Sequence, residues 1–190
     1  GWRKHAILDY LGSGERLDVK LTYVVQDEQN GLAKAVAAGK HVITDESFLV
    51  VLGDNFFYPK TFLKDILSFH EEQRADVTLG VSEIKDTTRH GIIKQGTNNT
   101  IVDIIEKPSE IEAPSKLGAI GIYLFSSDIF NAIDRTKPGV KNEYQLTDAI
   151  KIMVEDGKQV YYKEIEGKHI DVGTLEDLRM ANDYFFRELK

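Results

Sequence analysis

Two carboxylates follow strand-like stretches at distant points of this chain. Asp54 comes after the apolar run 48–52 and Gly53, and Asp171 comes before Gly173 and Thr174 in "HIDVGT". In open α/β sheets, ligands bind in a crevice outside the carboxyl ends of strands. A sheet could therefore bring both acids to one crevice, although either could instead be a turn cap beside its glycine.

A lysine and a glutamate stand together at another predicted strand end. In "IIEKPSE", Glu106 and Lys107 precede Pro108, which cannot continue a central strand. A lysine supplies a mobile positive charge for phosphate, and a carboxylate accepts hydrogen bonds from hydroxyl groups. Without other motifs, the pair would be interpreted as a surface ion pair of small energetic value.

A polar loop connects a predicted strand to a predicted helix in "VVQDEQNGLAKAV". Gln26 offers both a hydrogen-bond donor and an acceptor. Gly31 lets the backbone make a close approach to a neighbouring group. On its own the segment is also compatible with an ordinary polar loop before a helix.

The elements that would position these residues alternate between strand and helix patterns. The run 48–52 is apolar on both faces, which predicts a central strand covered by helices on either side. Further strands are predicted at 19–25, 76–84, 91–95, 100–108, 118–125 and 159–165, and helices at 3–12, 31–39, 61–75, 146–157 and 174–190. No repeat or linker interrupts them, so residues 1–190 are predicted to form one α/β domain.

Composition excludes several classes of function. The 190 residues are 42% hydrophobic and 29% charged, with a net charge of -7 and no cysteine. The acidic balance argues against a nucleic acid partner, and the lack of cysteine excludes disulfides, thiolate nucleophiles and zinc–thiolate sites. No apolar run reaches the length of a membrane span, so we expect no membrane partner and a cytoplasmic location.

Taken in order, the polar loop in "VVQDEQNGLAKAV" and the stretches "LGDN", "EKP" and "DVGT" resemble the sugar-nucleotide nucleotidyltransferases. The resemblance implies a Rossmann-like, mixed, mostly parallel sheet flanked by helices. It also implies an enzyme that joins a nucleoside triphosphate to a sugar 1-phosphate and releases pyrophosphate. The stretches "GLAKA" and "NEYQLTDAI" are most similar to glucose-1-phosphate thymidylyltransferases and related uridylyltransferases. The choice between dTTP and UTP stays open, because the bases differ by one methyl group, and the sugar is not fixed.

The resemblance also assigns roles to individual residues. Asp54 and Asp171 would hold Mg²⁺, and Lys107 would act with Asp54 in catalysis by contacting the sugar phosphate. Glu106 would bind the sugar hydroxyls. Gln26 and Gly31 would bind the nucleotide base.

Two further sugar contacts are implied by the resemblance. Gly91, in "TRHGII", would present its backbone amide to the sugar, and Thr147 would line the sugar pocket or cap the following helix. His90 stands where the family commonly has another aromatic residue, and it could equally be a packing residue. His169 stands where thymidylyltransferases often have tryptophan.

One family feature is not found in these 190 residues. Family members begin with a strand and a glycine-rich loop of the form GGxGTRLxPxT, which wraps the triphosphate. The only similar stretch here is "LGSGERL" at 11–17, which follows a helix. We therefore expect that the first βαβ unit is missing and that this piece alone is a poor catalyst.

Other functions are compatible with the same sequence. One alternative is a non-catalytic module that binds a nucleotide sugar or a sugar phosphate. Another is a glycosyltransferase, although the DxD-type metal motif with apolar flanks that such enzymes normally carry is not found. Homo-oligomers are common in the family, so a homo-oligomer is also expected.

Overall fold

The structure is a computed structural model that describes residues 4–188. The outermost residues of the predicted helices 3–12 and 174–190 lie outside this range. Within it, helices and strands alternate along the chain. The strands are Ser47–Val51 (β1), Asn55–Tyr58 (β2), Val77–Glu83 (β3), Gly91–Gln95 (β4), Ile101–Glu106 (β5), Leu117–Ser126 (β6), Val160–Glu164 (β7) and Lys168–Asp171 (β8). The α-helices are Lys4–Leu11 (α1), Leu32–Ala38 (α2), Phe62–Gln73 (α3), Ile129–Arg135 (α4), Leu146–Glu155 (α5) and Leu175–Glu188 (α6).

Six of the described strands form one mixed sheet in the order β5-β4-β6-β3-β7, with β1 paired to the other half of β6. Among the strands of residues 4–188, only β3 and β7 are parallel neighbours. Because β1, β3 and β4 all pair antiparallel with β6, they run in one direction together with β7. The prediction of a mixed sheet flanked by helices is confirmed, but the expected mostly parallel pairing is not found, because the other four pairs of neighbouring strands described in this sheet are antiparallel.

Strand β6 is the centre of the sheet, and its side chains divide the core between two faces. Ile120, Ile122 and Leu124 pack with α3 in one buried cluster. Tyr123 and Phe125 belong to a larger cluster on the other face, together with residues of α2, α4 and α5. This alternation follows from the two-residue period of a strand, and it fixes the register against β1 and β3.

Helix α5 shows why the sequence folds as predicted at this point. Its buried residues Leu146, Ala149, Ile150 and Met153 recur at helical spacing, which places one apolar stripe against the sheet. The helix begins beside the strand end at Glu106, and this position brings Thr147 to the candidate site.

Two further sequence predictions are wrong at this level. Strand β1 is an edge strand in the part of the chain that the structure describes, because it pairs with β6 alone. It is also not buried on both faces, since Leu49 is 36% and Val51 42% exposed. The predicted strand at 19–25 contains no strand residues, because an alternating pattern forms a strand only where a neighbouring strand accepts its backbone hydrogen bonds. No helix among residues 4–188 is long and apolar enough to span a membrane.

Candidate active site

A two-stranded ladder brings the two predicted metal ligands together. Strand β2 pairs antiparallel with β8, and Asn55 lies opposite Asp171. The backbone N–H of Val172 donates to the carbonyl of Asp54 over 2.9 Å. The ladder therefore places Asp54 and Asp171 on neighbouring strand ends, as the sequence predicted, although strand β2 was not predicted.

The side chains around these acids form a short polar network. Asn55 Nδ2 donates to Asp54 Oδ1 over 2.9 Å, and His169 Nε2 lies 2.6 Å from Asn55 Oδ1. Arg89 Nη2 donates to Asp171 Oδ2 over 3.1 Å. We refer to Asp54, Asn55, Arg89 and Asp171 as the acid wall.

The β4–β5 hairpin carries the second group of predicted residues. Gly91 lies opposite Glu106 in the ladder, and the N–H of Lys107 donates to the carbonyl of His90 over 3.0 Å. Lys107 Nζ lies 3.1 Å from Glu106 Oε1. Lys107 has a φ of 47°, a left-handed conformation that is uncommon outside glycine and is often found at functional sites.

Thr147 closes this group from helix α5. Its hydroxyl donates to Glu106 Oε2 over 3.0 Å. A Cβ added at Gly91 would lie 2.5 Å from Thr147 Cγ2 and 3.3 Å from Glu106 Oε2, so a larger residue at position 91 would force Thr147 to move. We refer to Gly91, Glu106, Lys107 and Thr147 as the hairpin wall.

The two walls face one cavity of about 220 Å³. It opens where β1 ends and β4 begins, because both strands pair with β6 on the same side. Six of the eight predicted site residues line it: Asp54, Gly91, Glu106, Lys107, Thr147 and Asp171. Thus residues from five separate stretches of sequence converge on one site.

The two residues predicted to bind a base lie beside this cavity rather than in its lining. Gln26 Nε2 donates to the carbonyl of Gly31 over 3.2 Å, so its amide is engaged locally. Gly31 has a φ of 120°, and a Cβ there would lie 2.4 Å from the Tyr144 carbonyl oxygen. The next residue, Leu32, does line the cavity. A role for Gln26 and Gly31 in base binding stays a prediction.

The floor of the cavity is the middle of β6, where a glycine makes the space. Gly121 has a φ of 73°, and a Cβ there would lie 2.9 Å from Asn55 Nδ2. Tyr123 is buried beside it, and its pKa is raised by burial and by the negative charges of Glu106 and Asp54. The Tyr123 hydroxyl therefore stays protonated and can donate a hydrogen bond.

Two histidines stand at the boundary with a larger groove of about 660 Å³ formed by β3, β8 and α6. The rings of His90 and His169 are 6.4 Å apart. Burial lowers the pKa of His90. Burial, together with the neighbouring His90, lowers the pKa of His169 to about 4. Both imidazoles are therefore neutral at pH 7 and can act as donors or acceptors of hydrogen bonds.

The charge of the cavity favours a cation. Its lining carries four carboxylates, from Asp54, Glu106, Glu143 and Asp171, against the two basic side chains of Arg89 and Lys107. An anionic substrate would meet net negative charge unless a cation accompanied it. Magnesium is usually held by one or two carboxylates together with phosphate oxygens, and the acid wall supplies such carboxylates. Within residues 4–188, no group of three or more His, Cys, Asp or Glu side chains forms a complete metal site.

Sequence reasoning missed three functional features of the acid wall and the floor. Gly121 inside a strand pattern was a readable signal, because an interior glycine often marks a bulge or a close approach. Asn55 and Arg89 gave no comparable signal. Arg89 and Asp171 are 82 positions apart, so only the fold shows that they pair.

With the geometry in place, comparison with known proteins identifies the class. The family model described as nucleotidyl transferase matches residues 3–187. The chain belongs to this family, and within it to the sugar-phosphate nucleotidyltransferases.

Relatives and solved structures agree with this assignment. The UTP–glucose-1-phosphate uridylyltransferase AglF of Haloferax volcanii is 34% identical over 93% of this chain and 71% of its own length. The low-salt glycan biosynthesis nucleotidyltransferase Agl11 of the same organism is 32% identical over 94% of this chain. A crystal structure of UDP-glucose pyrophosphorylase complexed with UDP-glucose has a TM-score of 0.89 at 28% identity, covering 99% of this chain and 79% of that chain. The chain spans about half (49%) of the length of Agl11.

Proposed function

We propose that this chain binds a sugar 1-phosphate and a nucleotide for nucleotidyl transfer. In that reaction an oxygen of the sugar phosphate attacks the α-phosphorus of a nucleoside triphosphate, and pyrophosphate leaves. The observation that carries the proposal is the convergence of the acid wall and the hairpin wall on one cavity. Such transfers depend on positioning and charge neutralisation more than on a covalent nucleophile.

The hairpin wall supports the sugar-phosphate half of the proposal. Glu106 is fixed by the Thr147 hydroxyl on one oxygen and by Lys107 on the other, and the carboxylate can still accept hydroxyl hydrogens through its remaining lone pairs. Lys107 carries the charge that a phosphate needs. Gly91 lies opposite Glu106 in the ladder, so its backbone N–H would donate to a sugar hydroxyl bound beside that carboxylate.

The acid wall supports the nucleotide half. Asp54 and Asp171 would hold a Mg²⁺ ion that accompanies the triphosphate. When bound, the cation would neutralise the charge that develops on the phosphate oxygens. Gln26 and Gly31 would contact the base through the loop before α2. The names of the relatives favour UTP over dTTP, and glucose 1-phosphate as the sugar substrate.

We distinguish ligand binding by residues 1–190 from catalytic turnover by them. The 190 residues contain no stretch of the form GGxGTRLxPxT, and backbone amides in such a loop would hold the triphosphate. We therefore propose that residues 1–190 bind the sugar phosphate and the product, and that fast turnover requires a glycine-rich loop in addition. The same observation favours, as a second candidate function, a binding module without catalysis.

Titration calorimetry with UDP-glucose, dTDP-glucose and glucose 1-phosphate, with and without Mg²⁺, tests the proposal. We expect binding of at least one ligand, weakened about tenfold or more by Lys107→Met because a charged contact to phosphate is lost. Lys151→Met is the matched control, since Lys151 pairs with Asp103 outside the cavity. Absence of binding for all three ligands would refute the proposal. Pyrophosphate release from UTP and glucose 1-phosphate, lost in Asp171→Asn, would separate an enzyme from a binding module.

A further inference from the structure

Arg89 occupies a position between two carboxylates. Its Nη2 atom lies 3.1 Å from Asp171 Oδ2 and 3.9 Å from Asp177 Oδ2. Asp171 ends strand β8, whereas Asp177 lies in the first turn of helix α6. The guanidinium therefore ion-pairs with Asp171 and has a second acceptor within a short displacement.

This arrangement conflicts with a cation on Asp171. A divalent cation and a guanidinium on the same carboxylate oxygen would repel each other at short range. Asp171 is 29% exposed, so water screens this repulsion only in part. The cation can use Asp171 fully only if Arg89 moves.

Asp177 is prepared to receive the displaced guanidinium. Its Oδ2 atom accepts hydrogen bonds from the N–H and the hydroxyl of Thr174, at 2.9 and 2.8 Å. Its side chain is only 14% exposed, so the carboxylate is already oriented. Gly173 leaves room for the movement, because a Cβ there would lie 3.0 Å from Arg89 Nη2.

We propose that Arg89 is a positioning residue that competes with the divalent cation for Asp171 and transfers to Asp177 when the cation binds. Without the cation, Arg89 neutralises Asp171 and holds its carboxylate in place. With the cation, the Arg89–Asp177 pair replaces the Arg89–Asp171 pair, so only part of the ion-pair energy is lost. This inference rests on the proposed cation site at Asp54 and Asp171.

Mn²⁺ binding followed by electron paramagnetic resonance, with and without UDP-glucose, tests the exchange. Arg89→Ala should tighten Mn²⁺ binding about two- to fivefold, the range set by one partly exposed ion pair. Asp177→Asn should weaken it by a similar factor, because the displaced guanidinium loses its charged acceptor. In the double variant Arg89→Ala/Asp177→Asn, the second substitution should not change Mn²⁺ binding further, because no guanidinium is left to pair with residue 177.

The matched control is Arg135→Ala, which removes an arginine from an ion pair with Asp156 outside the cavity and should leave Mn²⁺ binding unchanged. A purely structural role for Arg89 predicts unchanged or weaker Mn²⁺ binding in Arg89→Ala, and equal effects of Asp177→Asn in both backgrounds. Either result would overturn the inference. Absence of Mn²⁺ binding to both the wild type and Arg89→Ala would also overturn it. Failure of the proposed function would instead show as absence of binding to all three sugar ligands in calorimetry.

Discussion

The two walls of the cavity are built in different ways. The hairpin wall belongs to the main sheet and to helix α5, and its polar groups hold one another at fixed positions. The acid wall stands on a two-stranded ladder, and one of its carboxylates is paired with Arg89. The hairpin wall is therefore preorganised for a ligand, whereas under our proposal the acid wall would exchange a partner before it holds a cation. Preorganised sites avoid the cost of ordering side chains on binding.

The largest expected effect tests how tightly the hairpin wall is packed. Gly91→Ala places a methyl group 2.5 Å from Thr147 Cγ2, and overpacking of this kind costs about 1–3 kcal/mol of unfolding free energy. Binding of glucose 1-phosphate should weaken in parallel. Urea unfolding and calorimetry measure the two quantities.

A second substitution shows whether the clash is the cause. Gly91→Ala/Thr147→Ser removes the clashing methyl group and keeps the hydroxyl that donates to Glu106. We expect it to recover most of the lost stability. If Gly91→Ala alone is as stable as the wild type, the hairpin wall is not tightly packed and the contrast with the acid wall is lost.

The next effect concerns the charge of the hairpin wall. Glu106→Gln keeps an acceptor for Thr147 but removes the carboxylate beside Lys107, so affinity for glucose 1-phosphate should fall about tenfold, as for one charged hydrogen bond. Asp103→Asn is the matched control on the same strand, because Asp103 pairs with Lys151 outside the cavity. Equal affinities of the two variants for glucose 1-phosphate in calorimetry would show that Glu106 does not contribute to binding.

The β2–β8 ladder that carries Asp171 of the acid wall should be sensitive to pH through His169. Burial, and then the nearby His90, lowers the pKa of His169 to about 4 from the ordinary 6.5. The unfolded chain therefore takes up a proton before the folded protein does. The contribution of neutral His169 to the stability of the folded protein is complete above pH 6.5 and is lost as the pH falls toward 4.

The loss for one proton is at most about 1.4 kcal/mol per pH unit. Urea unfolding at pH 7 and pH 5 should therefore show a smaller decrease for His169→Gln than for the wild type. The same decrease in both proteins would show that the imidazole is not desolvated in the folded state.

The smallest effect is expected for Gly53, the residue before Asp54 of the acid wall. A Cβ at Gly53 meets no atom within 4 Å, so Gly53→Ala should change the unfolding free energy by less than about 0.5 kcal/mol. Its comparison with Gly91→Ala contrasts the packing of the two sides directly. A large destabilisation by Gly53→Ala would mean that the surroundings of the acid wall are as tightly packed as the hairpin wall.

Local patterns identified most of the elements and the residues at their ends. The sequence predicted a helix at 146–157, where α5 lies, and strands on both sides of the turn between β4 and β5. These features depend on contacts close in sequence, so the sequence carries them directly. The edge position of β1 and the unpaired segment 19–25 were mispredicted because both depend on which strands lie alongside.

The sequence by itself determined the family and six of the residues that line the cavity, because motif residues at strand ends keep their order and spacing along the chain. Only the tertiary structure decided which groups those residues meet. It paired Arg89 with Asp171 across 82 positions, placed Gly121 against Asn55, and set Gln26 beside the cavity rather than in it. The physical reason is that ion pairs and close approaches between distant segments depend on the packing of the sheet, which no local pattern records.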